Sequence, residues 1–159
     1  MAHDLPIEGA VLARADAKDA AELLVLQRCC WVDEAIANDT LDIAALHESL
    51  DDVRAWLDEW ETWSVRVDGR LVGAVRARRE GPIWDIGRLM VAPDLAGRGL
   101  GGWLLRFGEA RAPDDVESIT LFTGAQSTRN IAMYERAGFR RSPAPAPPNA
   151  VRLEKRVER

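Results

Sequence analysis

The apolar positions change period several times along the chain, and each change predicts an element. Ala10-Val11-Leu12-Ala13 is a short apolar stretch, read as an opening strand over 10–14. Ala20, Leu23, Leu26 and Cys30 then recur at helical spacing and predict a helix over about 17–37. Asp16 is its cap, and Asp19 stands at the third helical position, near the positive end of the dipole. Ser49 opens a second helix with Asp52 in a capping-box position and Leu50, Val53, Leu57 and Trp60 as its apolar face. The period then falls to two. Trp63, Val65 and Val67 alternate with polar residues, Asp68-Gly69 is a two-residue turn of type I′, and Leu71, Gly73 and Val75 resume the alternation as a hairpin.

Gly81-Pro82 ends that hairpin, and Ile83 to Val91 reads as the next strand. Ile83, Asp85, Gly87 and Leu89 share one of its faces, and Trp84, Ile86, Arg88 and Met90 the other unless a bulge intervenes. A helix begins within the glycines at 97–102, carries Leu100, Trp103, Leu104 and Phe107, and ends near Pro113. Glu117 to Thr123 is a strand, Ser127 to Ala137 a short helix stopped by Gly138, and Phe139 the start of another strand. A proline-rich loop over Ser142 to Pro148 leads into a closing strand, Val151 to Val157. With no repeats and no long linker, this order predicts a single domain over 1–159 of the α/β (α+β) class. Its sheet is mixed and flanked by about four helices.

Charge sharpens this outline. The formal net charge is −5, but residues 1–63 hold 15 Asp/Glu against 4 Lys/Arg, and residues 64–159 hold 11 against 17. An acidic front and a basic back argue against nucleic acid as partner. They suggest instead two faces that meet partners of opposite sign. No apolar run approaches the roughly 20 residues of a membrane span, and Met1 to Pro6 lacks the pattern of a signal peptide. Cys29 and Cys30 are adjacent, which disfavours a bridge, and read as buried small residues of a cytoplasmic protein. Two histidines, His3 and His47, are too few for most metal sites, so no metal is expected.

The densest chemical signal is Gly97-Arg98-Gly99-Leu100-Gly101-Gly102. A glycine-rich turn at a helix N-terminus exposes backbone N–H groups at the positive end of the dipole, a phosphate-binding arrangement. Its Gly-x-Gly-x-x-Gly spacing also matches the dinucleotide fingerprint. However, five residues separate it from its strand, and the following strand ends Thr123-Gly124 with no acidic residue for a ribose.

Leu89-Met90-Val91-Ala92-Pro93-Asp94 running into Gly97-Arg98-Gly99-Leu100-Gly101 resembles the acetyl-CoA motif of the GNAT (Gcn5-related) N-acetyltransferases. Asn130-Ile131-Ala132-Met133-Tyr134-Glu135, followed by Gly138-Phe139, resembles that family's second motif, in family order and about 30 residues later. The likeness spans nearly the whole chain. Ala96 stands where the family's loop usually opens with Arg or Gln. Ser127 stands where many members have Asn, with Asn130 as the alternative.

The resemblance implies a mostly antiparallel central sheet with two strands splayed apart around the pantetheine. Leu89, Met90 and Val91 would supply its backbone contacts, with the N–H of Met90 or Val91 facing the thioester oxygen. Gly97, Arg98, Gly99, Leu100, Gly101 and Gly102 would hold the pyrophosphate, and Asn130 would touch CoA. Tyr134 would be the general acid for the departing thiolate, and Asp85 the carboxylate that takes the amine's proton. Asp85 reads equally well as exposed or as paired with Arg88, Arg76 or Arg78.

In family fashion the acceptor would meet the first two helices. There Trp31, Asp33 and Glu34, with Asp39 and Asp42, form an acidic entrance suited to a cationic small-molecule or peptide amine. The implied activity is acetyl transfer from acetyl-CoA to a primary amine in a ternary complex. The alternatives are a non-catalytic CoA- or nucleotide-binding regulatory module and an NAD(P)-binding protein. Homodimers are common among proteins similar to this one.

Overall fold

Short polar side chains set the helix starts. In the computed structural model, which describes residues 4–158, Asp16 accepts a hydrogen bond from the N–H of Lys18 (2.9 Å) and Asp19 accepts one from Asp16 (3.0 Å). This reciprocal cap opens a 3-10 turn, Ala17–Asp19, after β1 (Ala10–Arg14), and the turn continues into helix α1 (Ala20–Asn38). The single helix expected over 17–37 is therefore a 3-10 turn and an α-helix, which Asp39 ends in the left-handed conformation (φ 47). Ser49 and Asp52 form the second capping box, opening α3 (Leu50–Glu59). Between them lies α2 (Ala44–His47), a single turn too short to show a period. His3 lies outside the described residues.

The chain continues through β2 (Glu61–Val67), β3 (Arg70–Glu80), β4 (Ile83–Val91), α4 (Leu100–Ala110), β5 (Ser118–Gly124), α5 (Thr128–Arg136), β6 (Arg140–Arg141) and β7 (Ala150–Arg156). One seven-stranded sheet runs β1-β2-β3-β4-β5-β7-β6. Every pairing is antiparallel except β4 with β5. Asp68 and Gly69 both have positive φ (49 and 79), as a type I′ turn requires. Among the described residues no helix is long and apolar enough to cross a membrane.

Helix α4 covers one face of the sheet. Trp84 is buried with its indole N–H on the carbonyl of Gly108 (2.9 Å), and a Cβ added at Gly108 would come within 3.3 Å of Ile86. Trp63 meets Phe107 edge-on at 5.3 Å, and Phe107 stacks on Trp103 at 5.4 Å. Helices α1 and α3 cover the other face through Leu23, Leu26, Val53 and Trp56. Trp56 was not on the expected α3 face, and Leu50 and Leu57 are only half-buried. Gln27 is fully buried on α1 and donates to the carbonyl of Ala45 (3.0 Å) and to Glu48 (2.8 Å), which fixes α2 against it.

Two irregularities shape the sheet. Between Ala74 and Arg76 on β3 the register shifts, so that Met90 pairs with Ala74 but Gly87 with Arg76. Three β4 steps oppose two, and Arg88 takes up the excess with φ 44. This bulge exchanges the faces of Leu89 and Met90, so that Leu89 and not Met90 turns toward Gly101 of α4, and it moves Arg88 off the face of Trp84 and Ile86, where strict alternation had put it. It lies instead beside Asp85 and Gly87. Of the two adjacent cysteines Cys29 is exposed, not buried as expected, because it lies on the outer stripe of α1; Cys30 is half-buried.

Candidate active site

Strands β4 and β5 part company soon after they meet. Their parallel pairing covers only Ile83–Asp85 against Ser118–Thr120. Beyond it β4 turns away at the bulge, while β5 stays on β7 as far as Gly124. A cavity of about 370 Å³ occupies the gap. Its walls come from β4 (Asp85, Arg88, Leu89), β5 (Leu121 to Gly124), α1 (Trp31, Glu34) and α5 (Asn130, Tyr134).

At the far end of β4 the ladder's phase decides which backbone groups face the gap. The N–H of Ala92 donates to Val72 (2.7 Å), and in an antiparallel ladder bonded and non-bonded pairs alternate. Val91, opposite Gly73, is therefore a non-bonded position, with its N–H and C=O turned away from β3. The Cys30 thiol reaches the Val91 carbonyl from that side at 3.1 Å. Of the two N–H groups considered for the thioester oxygen, Val91 is the one turned toward the gap.

Beyond Val91 a 3-10 turn, Pro93–Leu95, leads to Gly97 and Gly99, which both take positive φ (80 and 88). Arg70, the first residue of β3, braces this loop by a two-pronged pair with Asp94 (2.8 and 2.6 Å). Gly99 is the N-cap of α4, and Trp103 bonds back to its carbonyl (3.0 Å), so the amides before Trp103 belong to the turn that a helix leaves without internal acceptors. A Cβ at Gly101 would make only ordinary contacts, 3.8–3.9 Å, with Leu89, Val91 and Met133. The chain's own packing therefore does not demand glycine there. Such a cradle of free amides and small residues fits a pyrophosphate. Arg98 is exposed beside it.

Tyr134 is 7% exposed and lines the cavity, and its hydroxyl has no hydrogen-bond partner among the described residues. Burial, then the charge of Glu34, holds its pKa well above the ordinary value, which keeps the phenol protonated. Asp85 is half-buried and accepts a hydrogen bond from Thr120 (3.3 Å). Burial first, and Glu80 next, push its pKa up to about 6 against the pull of Thr120 and of Arg78 and Arg76. No arginine lies at ion-pair distance from it among the described residues. At neutral pH it is a carboxylate with raised basicity, suited to accept a proton.

Glu34 and Asn130, expected to meet acceptor and cofactor, both line the cavity and bond to each other. Glu34 accepts from Asn130 (2.6 Å), from the Ser127 hydroxyl (2.7 Å) and from the N–H of Gly124 (3.3 Å). Asn38 adds bonds to Ser127 (3.0 Å) and from Gln126 N–H (2.8 Å). This network ties α1 to the β5–α5 turn and forms a wall of the cavity. Asn38 and Gly124 carried no functional signal in the sequence, and Ser127 only its place just before the second motif. Trp31 lines the cavity, as does Asp42, whereas Asp33 and Asp39 are exposed and outside its lining. Among the described residues no three His, Cys, Asp or Glu side chains cluster to hold a metal.

Known proteins resemble this chain in sequence and in fold. The chain is 28% identical over 131 residues to UPF0157 protein YqkA of Bacillus subtilis, a match that covers 82% of this chain and 37% of that protein. It is 37% identical over 95 residues to the mycothiol acetyltransferase of Clavibacter sepedonicus, covering 57% of this chain and 31% of that one. The chain thus spans about a third of the length of these curated relatives. The PaiA N-acetyltransferase of Thermoplasma acidophilum, solved with coenzyme A, superimposes with a TM-score of 0.68 at 13% identity, covering 93% of this chain and 99% of that one. Residues 22–139 match the acetyltransferase (GNAT) family, to which this chain therefore belongs.

Proposed function

We propose that this protein transfers an acetyl group from acetyl-CoA to a primary amine by direct attack in a ternary complex. The observation that carries the reading is that Asp85 and Tyr134, from distant parts of the chain, line one cavity where β4 and β5 part. That cavity lies next to the glycine cradle. The coenzyme A bound by the Thermoplasma protein supports the choice of donor. The two free thiols fit the cytoplasm, where they stay reduced.

The residues divide the chemistry as follows. Amides of Gly97 to Gly102 hold the pyrophosphate. The Val91 N–H faces the thioester oxygen and stabilises the oxyanion that forms as the amine nitrogen bonds to the carbonyl carbon. Asp85 takes the proton that the amine loses, directly or through water. When the carbon–sulfur bond breaks, the Tyr134 hydroxyl gives its proton to the departing thiolate, and bulk water restores it. The neutral amine thus loses one proton and sulfur gains one; an acceptor that arrives as ammonium first releases one more to water, and Asp85 passes its own proton on to solvent.

Incubation with acetyl-CoA and an amine panel, with free thiol and acetylated amine followed together, tests the reading. Equal amounts of both products are expected. Tight coenzyme A binding with neither product from any amine would instead establish a non-catalytic binding module.

A further inference from the structure

Three arginines stand on the α1–α3 side of β3 and β4, and two of them are paired. Arg88 meets Glu48 at 3.1 Å, and Arg78 meets Glu80 at 2.7 Å and Glu59 at 3.8 Å. Arg76 is different. It is only 8% exposed, has no carboxylate at ion-pair distance and makes no hydrogen bond among the described residues, and its Nε is buried without an acceptor. Its guanidinium lies over the rings of Trp60 at 4.0 Å and Trp56 at 4.6 Å, and it lines the cavity.

Stacking on two indoles holds this cation in place, but it leaves the N–H fork unsatisfied. Burial, and then Arg88, lower its pKa to about 9, so it stays charged at neutral pH. Burying an unpaired charge is costly, and a fork of donors in a cavity wall matches a planar oxyanion in two bonds. Among the described residues no free carboxylate supplies such an anion. Glu48 is taken by Gln27 and Arg88, Glu34 by Ser127 and Asn130, and Asp42 lies at the exposed rim.

The register places this fork usefully. Asp85 pairs with Arg78, so Arg76, two residues along β3, is its diagonal neighbour on the same face, with Cα atoms about 7–8 Å apart. The two side chains influence each other's charge without touching. A molecule with an amine and a carboxylate a few bonds apart bridges that separation.

We propose that the acceptor is an amino carboxylate whose carboxylate seats on Arg76 while its amine faces Asp85. This rests on the acyl-transfer reading above and names the substrate class for it. It also refines the acidic entrance: the outer carboxylates attract the ammonium group, and the buried cation selects the acid beside it.

The test uses the whole protein with acetyl-CoA. Glycine, alanine, leucine, phenylalanine, glutamate and lysine are each compared with their carboxamides, and putrescine serves as an amine without a carboxylate. At least one acid is expected to exceed its carboxamide in kcat/KM by about tenfold to a hundredfold, the range for a charge-assisted hydrogen-bonded pair. Arg76→Gln should bring that ratio toward one, chiefly through KM, and Arg76→Lys should recover part of it. Carboxamides used as well as their acids by the wild type would overturn the proposal, and that comparison stands even if the variants fail to fold. Acetylation of putrescine alone would overturn it and leave acyl transfer intact. No product from any acceptor would overturn both.

Discussion

Replacing Asp85 with asparagine should stabilise the protein while disabling it. Burial pushes the Asp85 carboxyl up to about 6, which corresponds to a penalty of about 3 kcal/mol on the charged form at neutral pH. Partial solvent contact screens some of this, so the expected gain for Asp85→Asn is about 1–2 kcal/mol, or about 2–8 °C in Tm for a chain of this size. The new amide can keep the bond from Thr120. The sign follows from the raised pKa. Between the unfolded value and about 6 the folded protein holds the proton more tightly than the unfolded chain, so wild-type stability falls as pH rises through that window. The advantage of the variant should therefore be absent near pH 4, grow to about pH 6 and stay level above it. Thermal unfolding of both proteins across that range measures it, alongside thiol release from acetyl-CoA. Equal or lower stability of the variant at every pH would refute the burial argument. Wild-type rate should also fall on the acid side with an apparent pKa of about 6, a limb the variant lacks.

Three further outcomes are expected. Tyr134→Phe should lower kcat by about a hundredfold or more yet keep coenzyme A affinity and thermal stability, since the hydroxyl has no partner among the described residues to lose. Titration calorimetry beside the rate assay checks this. Gly124→Ala would drive a methyl to 2.6 Å from Ser127 and 2.7 Å from Glu34, besides clashing with the Asn38 amide. Breaking bonds to that half-buried carboxylate should cost about 1–3 kcal/mol, read as a fall in Tm by circular dichroism. Gly101→Ala makes only ordinary contacts within the chain, so Tm should hold or rise slightly, by no more than about 1 kcal/mol of helix propensity. Coenzyme A binding should weaken nonetheless.

The sequence carried the local signals well. The Asp16 cap, the Ser49 capping box, the Asp68-Gly69 turn and the alternation in β4 as far as Gly87 depend on near neighbours, and the structure has each of them. The glycine cradle was legible for the same reason. What escaped depends on contacts across the fold. Helix α2 is one turn held by Gln27, and no periodicity reports it. The bulge at Arg88 follows from a register shift against β3, so the side chain changed face without any change in its own sequence pattern. Glu34 looked like an entrance charge because its three donors come from residues 124–130, about ninety positions away. Arg76 read as one of three equivalent partners for Asp85, and only the packed tryptophans and the absence of a counter-ion among the described residues set it apart from Arg78 and Arg88.

The central claim is that the cavity where β4 and β5 part brings acetyl-CoA and an amine together under Asp85 and Tyr134. The most direct measurement follows free thiol and acetylated amine in the same reaction, for the wild type, Asp85→Asn and Tyr134→Phe, with coenzyme A affinity measured in parallel. Expected are equal formation of both products by the wild type, a large loss of both in each variant, and unchanged coenzyme A affinity in all three. Turnover by both variants at the wild-type rate would contradict the claim.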